Sequence, residues 1–210
     1  MFNLEEQEQI DALKAWWKRY GNWVSLALLA VALAVAGTQG WNVYQNRQAS
    51  RAAVLFANLE AFAQGGDVHA VRQTAGTLMA HYRLTAYAPR AALIAAAAND
   101  HANDTRSAKA QLHWVLDHAS EPPLRAVARL RLAGLLLDEK HYRQAQRLLA
   151  AGQDKAYASL YHDLEGDVAV AAGNVAAART AYQAALQGKD EDATFRAFVQ
   201  DKLDALGGTK

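Results

Sequence analysis

One long uncharged stretch constrains the fold of this chain more than any other feature of its sequence. Residues 20–46, between Arg19 and Arg47, contain no Asp, Glu, Lys or Arg. A transmembrane α-helix needs about 20 mostly apolar residues to cross about 30 Å of hydrocarbon, and a helix satisfies its own backbone polar groups in lipid. The stretch therefore predicts one membrane-spanning helix, which we assign to residues 22–45.

Aromatic residues flank this stretch on both sides. Trp and Tyr side chains combine an apolar ring with a polar group, and they concentrate at the two membrane–water interfaces. The alternative is that the rings pack in a soluble core, but the uncharged residues between them match the thickness of a bilayer. The predicted interface anchors are Trp16, Trp17, Tyr20, Trp23, Trp41 and Tyr44.

A cleaved signal peptide is the competing interpretation of the same region. Ala34-Val35-Ala36 resembles a small-residue cleavage site. However, the apolar region is longer than the roughly 7–15 residues typical of signal peptides, and the leader before it is long and rich in acidic residues. We therefore favour a permanent anchor.

Basic residues near the two ends of the helix predict its orientation. Three precede it and two follow it, and acidic residues count for little in the positive-inside rule. The bias places the N-terminus in the cytoplasm and the bulk of the chain outside. The basic residues are Lys14, Lys18 and Arg19 on one side, and Arg47 and Arg51 on the other.

Small residues form a stripe along the predicted membrane helix. Ala32, Ala36 and Gly40 are spaced i, i+4, i+8, which allows another helix to approach closely. The alternative is that Ala is simply common in this region. We retain the stripe as a possible helix-packing surface.

The leader, residues 1–21, predicts a short cytoplasmic amphipathic helix. Asn3 and Glu6 have the spacing of a capping box at its start. Its apolar residues share one face at helical spacing, and this face is expected on the membrane surface or against a membrane partner.

From about residue 49, helical stretches alternate with short polar breaks. Turn and cap residues mark these breaks, and they predict about seven helices paired as hairpins. A water-soluble helical domain of residues 46–210 follows from this pattern. The breaks are residues 65–67, 99–104, 120–123, 140–141, 152–155 and 173–174.

The spacing of small and large residues in this region is typical of tetratricopeptide repeats. Such a repeat has a small residue on its first helix, another twelve positions later and a large apolar residue four positions after that. The small positions let the two helices pack closely. The copies are Ala96, Ala108 and Leu112; Ala133, Ala145 and Leu149; and Gly166, Ala178 and Tyr182.

The copies follow each other at close to the repeat period. The second small residues, Ala108, Ala145 and Ala178, are 37 and 33 residues apart, against a period of about 34. A degenerate copy over residues 50–82 and a final helix over residues 191–206 are expected to close the two ends of the stack. The predicted fold is all-α, with an ordinary helical bundle as the alternative.

The composition excludes several functions. The chain has no Cys, so it has no disulfide, thiolate metal site or Cys nucleophile. Its net charge of +1 lacks the positive excess that nucleic-acid binders use. His113 and Asp117 are i, i+4, but the sequence suggests no third metal ligand. We expect a binding protein without cofactor or metal, rather than an enzyme.

Two segments resemble the family of ancillary SecYEG translocon subunits. The first is residues 9–21, in which Lys14 precedes Trp16, Trp17 and Gly21 ahead of the membrane helix. The second is residues 164–182, which is similar to the last repeat of that family. The resemblance covers nearly the whole chain and includes the placement of the closing helix.

The resemblance implies an inner-membrane protein with a cytoplasmic N-terminus and a periplasmic repeat domain. It further implies attachment to the translocation channel and contact with exported polypeptides or periplasmic chaperones. The alternative function is a scaffold for another envelope process, such as cell-wall synthesis, division or stress signalling.

Overall fold

The computed structural model describes residues 4–152, 154–188 and 192–207, with side chains from Lys14 onward except Ala15 and Ala27. The predicted cap at Asn3 lies outside this range. Every regular element in the described part is helical, which confirms the all-α prediction. The elements are α1 (Leu4–Gln64), α2 (Val68–His81), α3 (Tyr87–His101), α4 (Thr105–His118), α5 (Pro122–Asp138), α6 (Tyr142–Ala150), a 3-10 turn (Lys155–Tyr157), α7 (Ala158–Ala171), α8 (Val175–Ala185) and α9 (Ala193–Ala205).

The chain divides into two units, residues 1–50 and residues 51–210. In the first, most of the described side chains are exposed, including large apolar ones. One helical stretch, Trp16–Gln64, is long and apolar enough to cross a membrane. A helix that is apolar on all sides lacks a polar face for contact with water, as is typical of membrane-spanning helices.

In the second unit, a left-handed residue ends the first helix of each hairpin. Gly66, Asn103, Lys140 and Gly173 all have φ between 60° and 77°. This conformation frees the chain to reverse, and only Gly adopts it without a steric penalty. These residues are 37, 37 and 33 positions apart, so the turns repeat with the helices.

The residue after each of these turns begins the second helix. Asp67, Asp104 and Asn174 each accept a hydrogen bond from the backbone N–H three residues on, at 2.9–3.1 Å. Such caps stabilise a helix start by about 1 kcal/mol. His141 makes no side-chain cap to α6.

Two breaks are absent from the sequence-based list, one after α8 (Val175–Ala185) and one after α2 (Val68–His81). Residues 82–86 separate α2 from α3, and the Thr85 hydroxyl donates to the Tyr82 carbonyl at 2.7 Å to close the turn. Pro89 lies in the first turn of α3, where its missing N–H needs no intrahelical acceptor. Pro89 was therefore the signal that could have located this helix start.

Asn99 corrects a second boundary. The sequence reading placed it in a loop, but it lies inside α3 and is fully buried. Its amide nitrogen donates to Gln111 Oε1 at 2.7 Å, and its oxygen accepts a hydrogen bond from Arg72 Nε. Because a buried amide is stable only when paired, this network joins α2, α3 and α4.

The core of the second unit consists of three successive hydrophobic clusters. The first lies where the end of α1 meets α2 and α3, the second runs from α3 to α7, and the third joins α7, α8 and α9. Each repeat thus buries its apolar face against its neighbours, as in other stacked-repeat proteins.

Candidate functional site

The repeat positions identified in the sequence lie in the interior. Eight of them are at most 2% exposed, and Gly166 is buried as well. The residues are Ala96, Ala108, Leu112, Ala133, Ala145, Leu149, Gly166, Ala178 and Tyr182.

The degenerate first copy keeps the same register. Leu59, Val71 and Ala75 are separated by twelve and four residues, as in the other copies, and all are fully buried. Large residues thus occupy its first two positions and a small one the third. The small residue at the third position offsets part of the volume added at the first two, as a close-packed core requires.

Residue size is also matched within the later copies. Ala96 and Ala133 are paired with Leu112 and Leu149, whereas Gly166 is paired with a tyrosine. A Cβ placed on Gly166 would overlap the Tyr182 ring. The last repeat is therefore closed more tightly than the two before it.

A cavity lies between α3 and α5, the first helices of two neighbouring repeats. We call it the inter-repeat cleft, and its volume is about 360 Å³. Leu112 of α4 lies at its floor, and a Cβ placed on Gly134 would meet no atom within 4 Å. The cleft is lined by Ala96, Ala97, Asp100, His101, Leu112, Arg131, Gly134, Leu135 and Asp138.

Charged groups surround the apolar floor of this cleft. Asp100 of α3 and Asp138 of α5 contribute carboxylates, and Arg131 contributes one cation. The Arg131 guanidinium donates to the Leu93 carbonyl at 3.1 Å, so it bridges the two helices. An apolar floor with a few polar groups at its edge is typical of a binding site, and the acidic excess favours a segment with a basic side chain.

Ion pairs stabilise the helices on both sides of the cleft. Arg90 of α3 pairs through both guanidinium nitrogens with Glu121 at 2.8–2.9 Å. Lys109 of α4 contacts both carboxylate oxygens of Glu139 at 2.6 Å, and this hydrogen bond is the main cause that lowers the pKa of Glu139. These pairs connect neighbouring repeats.

A second polar cluster, the C-terminal clamp, joins α9 to the last repeat. It comprises Asp163, Asp167, Tyr182 and Lys202. Lys202 Nζ lies 2.9 and 3.0 Å from the two Asp163 oxygens and 2.8 Å from Asp167. The Tyr182 hydroxyl donates to the other Asp167 oxygen at 2.8 Å.

Burial controls protonation in the clamp. It raises the pKa of the Asp163 carboxyl, and the hydrogen bond from Lys202 only partly offsets this. Burial and the Asp167 carboxylate both raise the pKa of the Tyr182 phenol well above its ordinary value. At neutral pH the phenol therefore remains a donor to Asp167.

The first unit displays the residues assigned to the membrane. The predicted anchor rings are 44–72% exposed, and Trp23 and Trp41 are about 27 Å apart along a helix of this length. Ala32, Ala36 and Gly40 are also exposed, and a Cβ on Gly40 would meet nothing within 4 Å. Neighbouring rings lie with their centroids 5.9–6.3 Å apart in the pairs Trp16–Trp17, Trp16–Tyr20 and Trp41–Tyr44.

Comparison with known proteins identifies the family. Residues 14–208 match the tetratricopeptide repeat-like domain family. An ancillary SecYEG translocon subunit of Neisseria gonorrhoeae is 33% identical over 97% of this chain and 98% of its own length. The chain belongs to the family of ancillary SecYEG translocon subunits.

Other members of this family are more distant but equally extensive. The ancillary SecYEG translocon subunit of Haemophilus influenzae is 27% identical over 89% of this chain and 91% of its own length. That of Escherichia coli is 25% identical over 96% of both chains. Membership therefore covers both the apolar helix and the repeats.

Sequence reasoning missed the charged residues of the cleft and the clamp. Asp163 and Asp167 are one helical turn apart, which places them on one face of α7, and this was the available signal. Their cation, Lys202, lies 35 residues beyond Asp167, and no local pattern links the two. Within the described residues, no group of three potential ligands surrounds a metal position.

Proposed function

We propose that this chain is a non-catalytic accessory subunit of the Sec translocon in the bacterial inner membrane. Its apolar helix anchors it with the N-terminus in the cytoplasm, and its repeat unit lies on the periplasmic side. There it binds segments of exported polypeptides and passes them to periplasmic chaperones.

The observation that carries this proposal is the near full-length match to proteins named for the translocon. The match includes a helix that is long and apolar enough to serve as an anchor. Anchoring confines the repeats to the membrane surface, which raises the effective concentration of weak partners. Individual contacts with passing chains can then be weak and brief.

The inter-repeat cleft is the proposed contact for exported chains. Its apolar floor suits small apolar side chains, and Asp100 and Asp138 suit a basic residue beside them. Repeat proteins use the surfaces between their stacked helices in this way. Such recognition is permissive, as a subunit that meets many different chains requires.

Site-specific photo-crosslinking in intact membranes tests the proposal. A photoreactive residue at Gly134 places the probe in the cleft, and one at Gly76 provides the control. Both are helical glycines with open space for a side chain, and Gly76 is exposed on α2. We expect products with exported chains from Gly134 only.

Probes at Ala36 and Gly40 test the membrane part separately, and we expect products with channel subunits. Crosslinks to division or cell-wall proteins, without channel subunits, would instead support the scaffold function. Replacement of residues 22–45 by an unrelated membrane helix tests the small-residue stripe. Retained association with the channel would show that this stripe is not the contact.

A further inference from the structure

A second cavity lies at the opposite end of α5 from the inter-repeat cleft. It is bounded by the start of α5 and by Ala151, Asp154 and Lys155, and its volume is about 410 Å³. We call it the basic pocket. The described residues that line it are Pro122, Arg125, Arg129, Ala151, Asp154 and Lys155, and among them three cations face one carboxylate.

The described residues supply no anionic partner to the three cations. In the described part of the chain, no carboxylate lies within salt-bridge distance of Arg125, Arg129 or Lys155. Glu121, the acidic residue nearest to Arg125 in sequence, is paired through both oxygens with Arg90. The Asp154 carboxylate accepts a hydrogen bond from the Ala156 N–H at 3.1 Å, which caps the short helical turn that follows.

Arg129 is the most incompletely paired of the three. Its Nε atom is buried and has no hydrogen-bond partner among the described residues. Its Nη1 atom reaches only the Tyr161 hydroxyl, at 3.4 Å, which is long for a hydrogen bond. The rest of this guanidinium group lines the pocket, where an anion would meet a cation that the fold pairs only weakly.

Arg125 is positioned at the edge of the same pocket. Its Nη1 atom donates to the carbonyls of Ala119 and Ser120 at 2.6 and 3.0 Å. These bonds use one nitrogen atom and fix the plane of the guanidinium group. A guanidinium presents several donors in a rigid fork that matches the two oxygens of a carboxylate.

We propose that the basic pocket binds carboxylate side chains of an acidic polypeptide segment. Pro122, Ala151 and Lys155 are exposed at its mouth, so a side chain of another polypeptide reaches the cations directly. The apolar surfaces of Pro122 and Ala151 contact the methylene groups that carry the carboxylate. This site is separate from the inter-repeat cleft, and it does not depend on the translocon function.

Fluorescence anisotropy with the full-length protein in neutral detergent tests this site. The probe is a labelled hexaglutamate peptide, and a labelled hexaglutamine peptide is its uncharged control. We expect hexaglutamate to bind, with an affinity that falls as salt is added because both partners are charged. Hexaglutamine is expected not to bind, and equal binding of the two peptides would overturn the proposal.

Paired variants separate the pocket from general charge attraction. Arg125→Gln with Lys155→Gln should weaken hexaglutamate binding by about tenfold or more, because both contacts are charge-assisted. Arg143→Gln with Arg147→Gln removes the same charge from exposed positions of α6, and it should change the affinity by less than about twofold. Equal losses in the two double variants would overturn the proposal.

A further variant should increase the affinity for hexaglutamate. Asp154→Asn removes the one carboxylate among the described lining residues and retains a capping side chain, so hexaglutamate should bind more tightly. Unchanged or weaker binding would contradict the assignment.

Competition with inorganic phosphate distinguishes a polypeptide ligand from a small free anion. Displacement of the peptide by micromolar phosphate would assign the pocket to small free anions instead. Failure of phosphate to compete supports a polypeptide ligand.

Discussion

The middle repeat, α5 and α6, and the last repeat, α7 and α8, share one register but differ in how tightly they are closed. The last repeat has Gly at its left-handed turn position and Asn as its cap. The middle repeat has Lys140 and the uncapped His141 at the same two places. Its second helix is also short, at nine residues.

Both cavities described above border the middle repeat. The inter-repeat cleft lies against the C-terminal half of α5 and the basic pocket against its N-terminal half. Departures from ideal local chemistry concentrate at functional sites, since binding requires space and accessible polar groups. We therefore propose that the last repeat closes the stack and that the middle repeat carries the binding surfaces.

The largest effect is expected from Gly166→Ala. The new Cβ overlaps the Tyr182 ring, and overpacking of this kind costs about 2–3 kcal/mol of unfolding free energy. Gly134→Ala, the matched change in the open cleft, should instead stabilise by about 0.5–1 kcal/mol because Ala favours helix. Urea unfolding of the full-length protein, followed by circular dichroism, measures both changes.

A double variant tests whether the destabilisation by Gly166→Ala comes from overlap with the Tyr182 ring. Gly166→Ala with Tyr182→Leu recreates the Ala–Leu pair of the two preceding repeats. We expect it to recover at least about 1 kcal/mol relative to the sum of the single changes. Simple additivity would show that the Gly–Tyr contact does not set the closure of this repeat.

Lys202→Met should produce the next largest effect. It leaves Asp163 and Asp167 without their cation in a partly buried site, which costs about 2 kcal/mol. Hydrogen exchange should show faster opening of α9 and α8, and little change in α3 and α4. Arg147→Met, which removes an exposed charge, is the control and should leave the exchange of α9 unchanged.

The decrease in unfolding free energy caused by Lys202→Met should become smaller at acidic pH. The pKa of Asp163 is already raised by burial, and loss of the cation raises it further. A carboxyl with a raised pKa in the folded state binds its proton more readily there, so lowering the pH favours folding. Unfolding titrations of both proteins between pH 7 and pH 4 measure the difference, and a constant difference would contradict this account.

Tyr182→Phe should cost about 1 kcal/mol at neutral pH, since it removes the hydrogen bond to Asp167. The pKa of Tyr182 is raised in the folded state, so its contribution is fully present below its ordinary pKa and is lost as the pH rises above about 10. The difference in unfolding free energy between the unsubstituted protein and Tyr182→Phe should therefore become smaller at alkaline pH. Thermal unfolding at pH 8 and above pH 10 gives the comparison.

The smallest effect is expected at the turn of the middle repeat. Lys140→Gly with His141→Asp introduces the turn and cap residues that the other repeats use. The left-handed Lys carries a strain of about 1–2 kcal/mol, which the flexibility of Gly in the unfolded chain partly cancels. A net gain of about 1 kcal/mol is expected, and no gain would mean that contacts around Glu139 already compensate for the strained turn.

The family, the architecture and the repeat register could all be predicted from the sequence. The uncharged run of residues 20–46 specifies an apolar helix whatever surrounds it. The spacing of Ala and Gly marks the hairpins because close helix packing depends on side-chain size at fixed positions. Local signals of this kind act over one helix or one turn, so a linear reading detects them. Asn99 was misplaced because this polar residue is buried in a tertiary hydrogen-bond network with Arg72 and Gln111, which the local sequence does not reveal.

Tertiary structure alone decided which charged residues face one another. Lys202 meets Asp163 across 39 positions, and Arg125, Arg129 and Lys155 converge from two separate segments. On a helix surface, charge is compatible with solvent almost anywhere, so local sequence does not distinguish a solvated Arg from one in a pocket. Only the stacking of the repeats determines which charges are enclosed, paired or left available to a partner.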